Sequence, residues 1–219
     1  MHTQTERLQG SKEVLYYHDR NVEYNSDEFH RIARHGYYAC VSYTDALVGK
    51  VITPLDSLGL GENTIIVLWG DYGWNLGEHN FWSKHNTMHN SLNAPLIFSV
   101  PGYEEDQTSR GLVEFIDIYP TLCELAGIVQ PEHLEGTSLV PLLSDPGRKW
   151  KEAAFSRYKI GDAVISERYT YTRYKSESIS ETMLYDLHSD PEENINLAGD
   201  KNYQEILKWM DEKLIEASK

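Results

Sequence analysis

Asp71, Glu78, His79, Lys84, His85 and His89 all fall within the stretch Thr64 to Pro101, and by type they are the residues best suited to do chemistry. Asp71 stands just past an apolar run, and open α/β sheets bind ligands outside the carboxyl ends of their strands. An aspartate in this position also serves as a turn residue bonding its own backbone, so position alone leaves both roles open. His85 has the chemistry to donate to an anion or to protonate a leaving group. His85 and His89 have the i,i+4 spacing that holds zinc on a helix, but no third ligand accompanies them. Lys84, taken alone, reads as a solvated surface lysine.

The elements that must position these residues can be read around them. Thr64 to Trp69 is a β-branched and apolar run, short enough for a buried strand. Gly70, Gly73 and Gly77 break it, and a second apolar run, Leu96 to Val100, is stopped by Pro101-Gly102. A polar, glycine-hinged loop between two buried strands is a usual mount for an active site. Upstream, Phe29, Ile32, Gly36, Cys40, Tyr43, Leu47 and Val51 recur at helical steps. Asp27 is the expected cap of that helix, and Pro54 should end it near residues 51–53. Residues 1–26 are polar and without period, and read as a loop or extended lead-in.

Farther on, Asp117 is the expected cap of a helix with Pro120 in its first turn and Gly127 past its end. From Ala153 the chain turns to short, tyrosine-rich, alternating segments: AAFSRY, DAVISERYTYTRY and MLYDLH. They predict hairpin strands of an antiparallel sheet with one exposed face. Tyr203 to Ile215 predicts a closing amphipathic helix, with Ile206, Trp209, Met210 and Leu214 on one side. The expected domains are therefore residues 1–150, part of an α/β domain, and 151–219, a small antiparallel-sheet-and-helix subdomain.

The 219 residues carry 20 Lys+Arg against 34 Asp+Glu, a net charge of −14. That balance argues against nucleic-acid binding, which rests on neutralising phosphates. It also gives no long-range attraction for a polyanion, so an anionic ligand needs a local cationic pocket or a metal. No apolar run approaches the roughly 18–20 residues of a membrane helix. The first 20 residues lack the apolar core of a secretory signal. Cys40 and Cys123 make no disulfide framework and are expected to be buried free thiols.

The segment GDYGWNLGEHNFWSKHN resembles the second signature of the type I sulfatases, above all the iduronate-2-sulfatase group, where the loop runs Asp-His-Gly, Leu-Gly-Glu-His, Trp-x-Lys. GYYACVSYTDALVGKVITPLDSLGLGENTII, PLIFSVPG, VEFIDIYPTLCELAGI, HLEGTSLVPLL and MLYDLHSDPEENINLA are similar to the family's carboxyl-terminal half in the same order. The resemblance covers Arg34 to Ala198. It implies a partial alkaline-phosphatase/sulfatase-like sheet with flanking helices. It assigns Asp71 to a divalent cation, normally Ca2+, and Lys84, with His85 as the weaker candidate beside it, to the sulfate and leaving-group oxygens. Glu78 and His79 would shape the loop.

Tyr72 departs from the pattern, since the family places His or Asn there as a further metal ligand. A neutral phenol with a pKa near 10 is a poor calcium ligand, so a weakened metal site is expected. His89 and Asn93 stand where many relatives carry an acidic and a basic residue. The family's nucleophile is a cysteine converted to formylglycine within Cys-x-Pro/Ala-x-Arg. Cys40 is followed by Val-Ser-Tyr and Cys123 by Glu-Leu-Ala, so neither fits.

The resemblance thus implies the carboxyl-terminal half of a sulfatase, whose complete form hydrolyses a sulfated small molecule or glycan. This chain by itself is expected to be inactive. Loss of the other half of the sheet should expose an apolar face that seeks the missing amino-terminal half or a second copy. Two alternatives stay open: a phosphoesterase of the alkaline phosphatase superfamily, and a non-catalytic relic or binding module. Family members are often periplasmic, secreted or lysosomal, and the compartment of this chain is left open.

Overall fold

The computed structural model describes residues 21–24 and 26–217, so most of the lead-in expected over residues 1–26 lies outside the described residues. The chain forms two compact units, residues 1–101 and 102–219.

In the first unit, helix α1 spans Asp27–Ser57. Ser26, not Asp27, caps it, its hydroxyl accepting from the Phe29 amide at 3.2 Å. Asp27 and Glu28 occupy the first turn, where a carboxylate favours the positive end of the helix dipole. The helix also outruns Pro54. Proline forfeits only its own amide, and its carbonyl still accepts from Leu58, so one more turn forms before Gly59 at φ 67° ends it. Only Phe29 of this helix is buried. Cys40 is exposed, contrary to expectation, because the apolar stripe that carries it has no neighbour covering it; Cys123 is buried, and both are free.

Strands β1 (Ile66–Trp69) and β4 (Leu96–Ser99) pair antiparallel, Ile66 opposite Ser99 and Trp69 opposite Leu96. The loop between them is not shapeless. It folds a short ladder, β2 (Asn75–Leu76) with β3 (Trp82–Ser83), and a single-turn helix α2 (His89–Leu92).

The second unit begins with helices α3 (Ile118–Leu125) and α4 (Val140–Ser144). Asp117 precedes α3 without capping it through its side chain. Its fully buried carboxylate instead accepts from the Glu114 and Thr137 amides and from Lys151 Nζ at 2.8 Å, tying three separated segments together. Gly127, at φ 66°, closes α3 as expected. Strands β5 (Ala154–Tyr158), β6 (Gly161–Ile165), β7 (Tyr169–Lys175) and β8 (Ser180–Asp186) form an antiparallel meander in chain order. Helix α5 (Gln204–Ala217) covers one face. Val164, Tyr171 and Leu184 from the sheet meet Met210 and Leu214 from the helix in one buried cluster. The expected exposed face is not found: Ala163, Thr172 and Met183, paired on the side away from Val164, Tyr171 and Leu184, are buried as well.

Candidate active site

The candidate residues sit in the first unit, on the connection between β1 and β4. Two close approaches shape it. At Gly73 any side chain would collide with the Asn90 and Asn93 carbonyls, and the Gly73 amide donates to the Ser91 carbonyl at 3.0 Å. At Gly77, φ is 110° and a Cβ would press on the His30 imidazole. Between them the buried Asn75 side chain donates to the Ser83 carbonyl at 3.0 Å and to the Ser91 hydroxyl at 2.6 Å. The Glu78 carboxylate accepts from the Leu76 amide, holding the turn from within.

This frame keeps four non-glycine residues in the left-handed region: His79 (φ 53°), Asn80 (61°), Ser83 (76°) and His85 (89°). Such backbones persist only where the surroundings impose them, and they collect at ligand-binding positions. Two of the four flank Lys84.

Lys84 Nζ lies 3.1 Å from Asp71 Oδ2 and 4.8 Å from the centre of the Tyr72 ring. The His85 ring stands edge-on to Tyr72 with centroids 6.3 Å apart. Of the residues singled out in the sequence, Asp71, Tyr72, Lys84 and His85 therefore meet at one place. Lys84 is mostly covered, with 19% of its side chain exposed, whereas the Asp71 side chain is 78% exposed. The ammonium is thus fixed from below, and the carboxylate faces outward.

His89 is not part of this group. It opens α2, while His85 lies outside any helix at positive φ, so the zinc spacing is not realised. His89 Nε2 instead contacts the Asn93 amide nitrogen at 3.4 Å, and burial pushes its imidazole below the usual pKa.

Sequence reasoning missed Asn75, Ser83 and Ser91, which hold the frame. Each is polar in a polar stretch and nothing in periodicity marks it as buried. The nearby glycines were the only available signal of a tight approach.

As a cation site the arrangement is incomplete. Asp71 is the right kind of ligand for a hard cation, but calcium takes about 6–8 oxygens. Among the described residues, no three His, Cys, Asp or Glu side chains converge as a metal-binding group. What the arrangement offers by itself is a positioned cation next to an outward carboxylate, with an imidazole and a phenol beside them.

The fold is that of the alkaline-phosphatase-like hydrolases, shared at TM-score 0.82 with a solved structure in complex with its substrate D-glucosamine-2-N,6-O-disulfate. That likeness carries 25% identity over 94% of this chain and 45% of the other. Two family models match, one described as sulfatase over residues 5–128 and one as the C-terminal part of N-sulphoglucosamine sulphohydrolase over residues 77–219. The chain belongs to the sulfatase family.

Among curated relatives it is 35% identical over 181 residues to a sulfatase of Formosa agariphila and 31% identical over 191 residues to human arylsulfatase K. It covers 35% of the length of each, so the chain spans about a third of those relatives. Solved structures also include a 2-O GAG sulfatase (31% identity, TM-score 0.72, 89% of this chain and 44% of that one). A phosphonate monoester hydrolase of Agrobacterium radiobacter is similar as well (26% identity, TM-score 0.75, 82% and 40%).

Proposed function

We propose that this chain is the carboxyl-terminal part of a sulfuric ester hydrolase. It would supply one carboxylate of the cation site, Asp71, and the cationic contact to the ester, Lys84. The observation that carries this reading is the meeting of Asp71 and Lys84, thirteen residues apart, on a strained and internally braced loop inside the stretch matched by the sulfatase family. Lys84 would stabilise negative charge building on the departing oxygen as the S–O bond breaks. His85 would deliver the proton that turns this oxygen into the alcohol product. Calcium is the cation we assign to the completed site, with Asp71 one of its oxygen ligands and Tyr72 a weak second.

The substrate we favour is a sulfated sugar of the iduronate-2-sulfatase type. The Trp82-Ser83-Lys84 and Gly77-Glu78-His79 signatures and the likeness to a 2-O GAG sulfatase support that choice. We assign residues 1–150 to the α/β domain and 151–219 to its small subdomain; the meander starting at Ala154 supports the change of character there, while the compact units divide at 101/102. The nucleophile would come from the part of the family domain that this chain does not match.

Aryl sulfate turnover tests the reading. The isolated chain should show none. The intact assembly, with the amino-terminal part of the domain supplied, should turn over, and Lys84→Ala should cost about 10²–10³ in kcat, the scale of losing one preorganised charge contact. Turnover unaffected by both Lys84→Ala and Asp71→Ala would overturn it. The likeness to a phosphonate monoester hydrolase supports a second reading, a phosphoryl ester as substrate. Preference for an aryl phosphonate over the aryl sulfate would select it.

A further inference from the structure

The first half of α1 carries His30, Arg31, Arg34 and His35, which share one helix face because they recur at i, i+1, i+4 and i+5. With Asp27 and Tyr38 they line a shallow, open groove along the surface of this one helix. This is a concentration of cationic and imidazole groups on a chain whose net charge is −14.

Its place in the fold ties it to the Lys84 loop. Arg34 Nε donates to the Leu76 carbonyl on β2 at 2.9 Å, and the His30 ring packs edge-on against Trp82 on β3 with centroids 5.3 Å apart. Lys84 follows that strand directly. The groove and the Lys84–Asp71 pair are therefore mounted on the same two-strand ladder. Arg34 spends one donor on this anchor and keeps its terminal nitrogens. Arg31 is exposed and has no ion pair or hydrogen bond among the described residues. A guanidinium presents a planar fork of donors matched to sulfate and carboxylate. Asp27 sits at the groove's edge, on the turn preceding the cluster, and disfavours an anion there, which leaves the Arg31–Arg34–His35 end as the binding part.

We propose that this groove is a second anion subsite, taking a sulfate or carboxylate borne by the same saccharide beyond the ester held at Lys84. The inference rests on the sulfate-ester reading for the identity of its ligand, not for its geometry. A sugar with two anionic groups would be held both at Lys84 and at this groove. A monosulfated monosaccharide would reach only Lys84.

The test is calorimetric titration of the chain with a disulfated uronic-acid-containing disaccharide and with a monosulfated glucosamine, checking each variant by circular dichroism. Arg31→Ala should weaken the disaccharide roughly threefold to tenfold, the range for a partly exposed charge-assisted contact, and leave the monosaccharide unchanged. Lys50→Ala, which removes the same charge from the far end of α1, should change neither. Lys84→Ala should weaken both. If Arg31→Ala leaves the disaccharide unchanged, or Lys50→Ala matches its effect, the subsite is overturned while the Lys84 result still judges the ester reading. If Lys84→Ala changes nothing but Arg31→Ala weakens the disaccharide, the ester reading fails and the groove stands as an anion site. Absence of disaccharide binding to the wild type, with the amino-terminal part of the domain supplied, overturns the subsite.

Discussion

Lys84 and Asp71 form an ion pair with one member in solvent, and such pairs contribute little to stability, typically about 0–1 kcal/mol. Their arrangement is better explained by what they face than by what they hold together. Tyr72 stands where the family resemblance implies a further metal ligand. Its phenol is half exposed and lies under the Lys84 ammonium, a contact that occupies the ring without supplying an anionic oxygen. Replacing it by an amide carbonyl offers a hard cation a second oxygen beside Asp71. Tyr72→Asn should therefore raise the heat and affinity of a calcium titration over wild type, and Asp71→Ala added to it should remove the gain. A titration that is the same in all three proteins would mean that no cation is held here and would favour a non-catalytic relic. Asp71 and Lys84 were singled out by the resemblance their motif carries; taken alone, Asp71 left two roles open and Lys84 read as a solvated surface lysine. Asn75 and Ser83 were not legible, because burial of a polar side chain depends on which carbonyls the folded loop turns toward it.

At the level of elements, the strands of the second unit's sheet were read from their period-2 alternation, but the burial of the second face was not, since Thr170 and Thr172 carry no apolar signal. What alternation does not encode is the polar latch at its end. Arg168 clasps Asp186 through two parallel contacts, Nε to Oδ1 at 2.9 Å and Nη2 to Oδ2 at 2.7 Å, joining the turn before β7 to the last residue of β8. These bonds hold the Asp186 carboxyl down at about 2, against an ordinary 3.8. A carboxyl with a lowered folded-state pKa stabilises the fold above its unfolded pKa, and that contribution is lost as pH falls through the folded value. Wild-type urea midpoints should accordingly drop between pH 4 and pH 2, and Asp186→Asn should start lower and lose most of that slope. Parallel curves for the two proteins would assign the acid sensitivity elsewhere. The same blindness to polar partners explains Asp117, expected to cap α3 but found gripping Lys151 and two amides: a capping signal in sequence reports only local geometry, and the stronger partners arrive from 20 and 34 residues away.

On the scale of the whole molecule, the apolar content is ordinary but its distribution is not. Along α1, Val41, Tyr43 and Val51 are 51%, 68% and 65% exposed, and in the β1–β4 pair Leu68, Trp69 and Ile97 are 42%, 50% and 55% exposed. A two-stranded pair is marginal unless something covers it, and its outer edges offer free amides and carbonyls. The helical period places Tyr43 and Val51, and the apolar runs place Leu68, Trp69 and Ile97, among residues expected to be buried; the structure leaves them exposed because nothing among the described residues covers them. The chain spans 35% of the length of the Formosa agariphila relative. We assign the face to the amino-terminal part of the sulfatase domain, whose strands would extend the sheet. Without that partner, apolar surface of this kind drives association. Sedimentation velocity of the isolated chain should show a mass rising with concentration above 25.2 kDa, and Val51→Asp combined with Ile97→Asp should suppress the rise without loss of helix signal. Addition of the amino-terminal part should abolish self-association in the wild type by competing for the same face. A wild-type chain that sediments as a monomer at every concentration, and that ignores the added part, would mean the face is tolerated in water and the domain is not completed there.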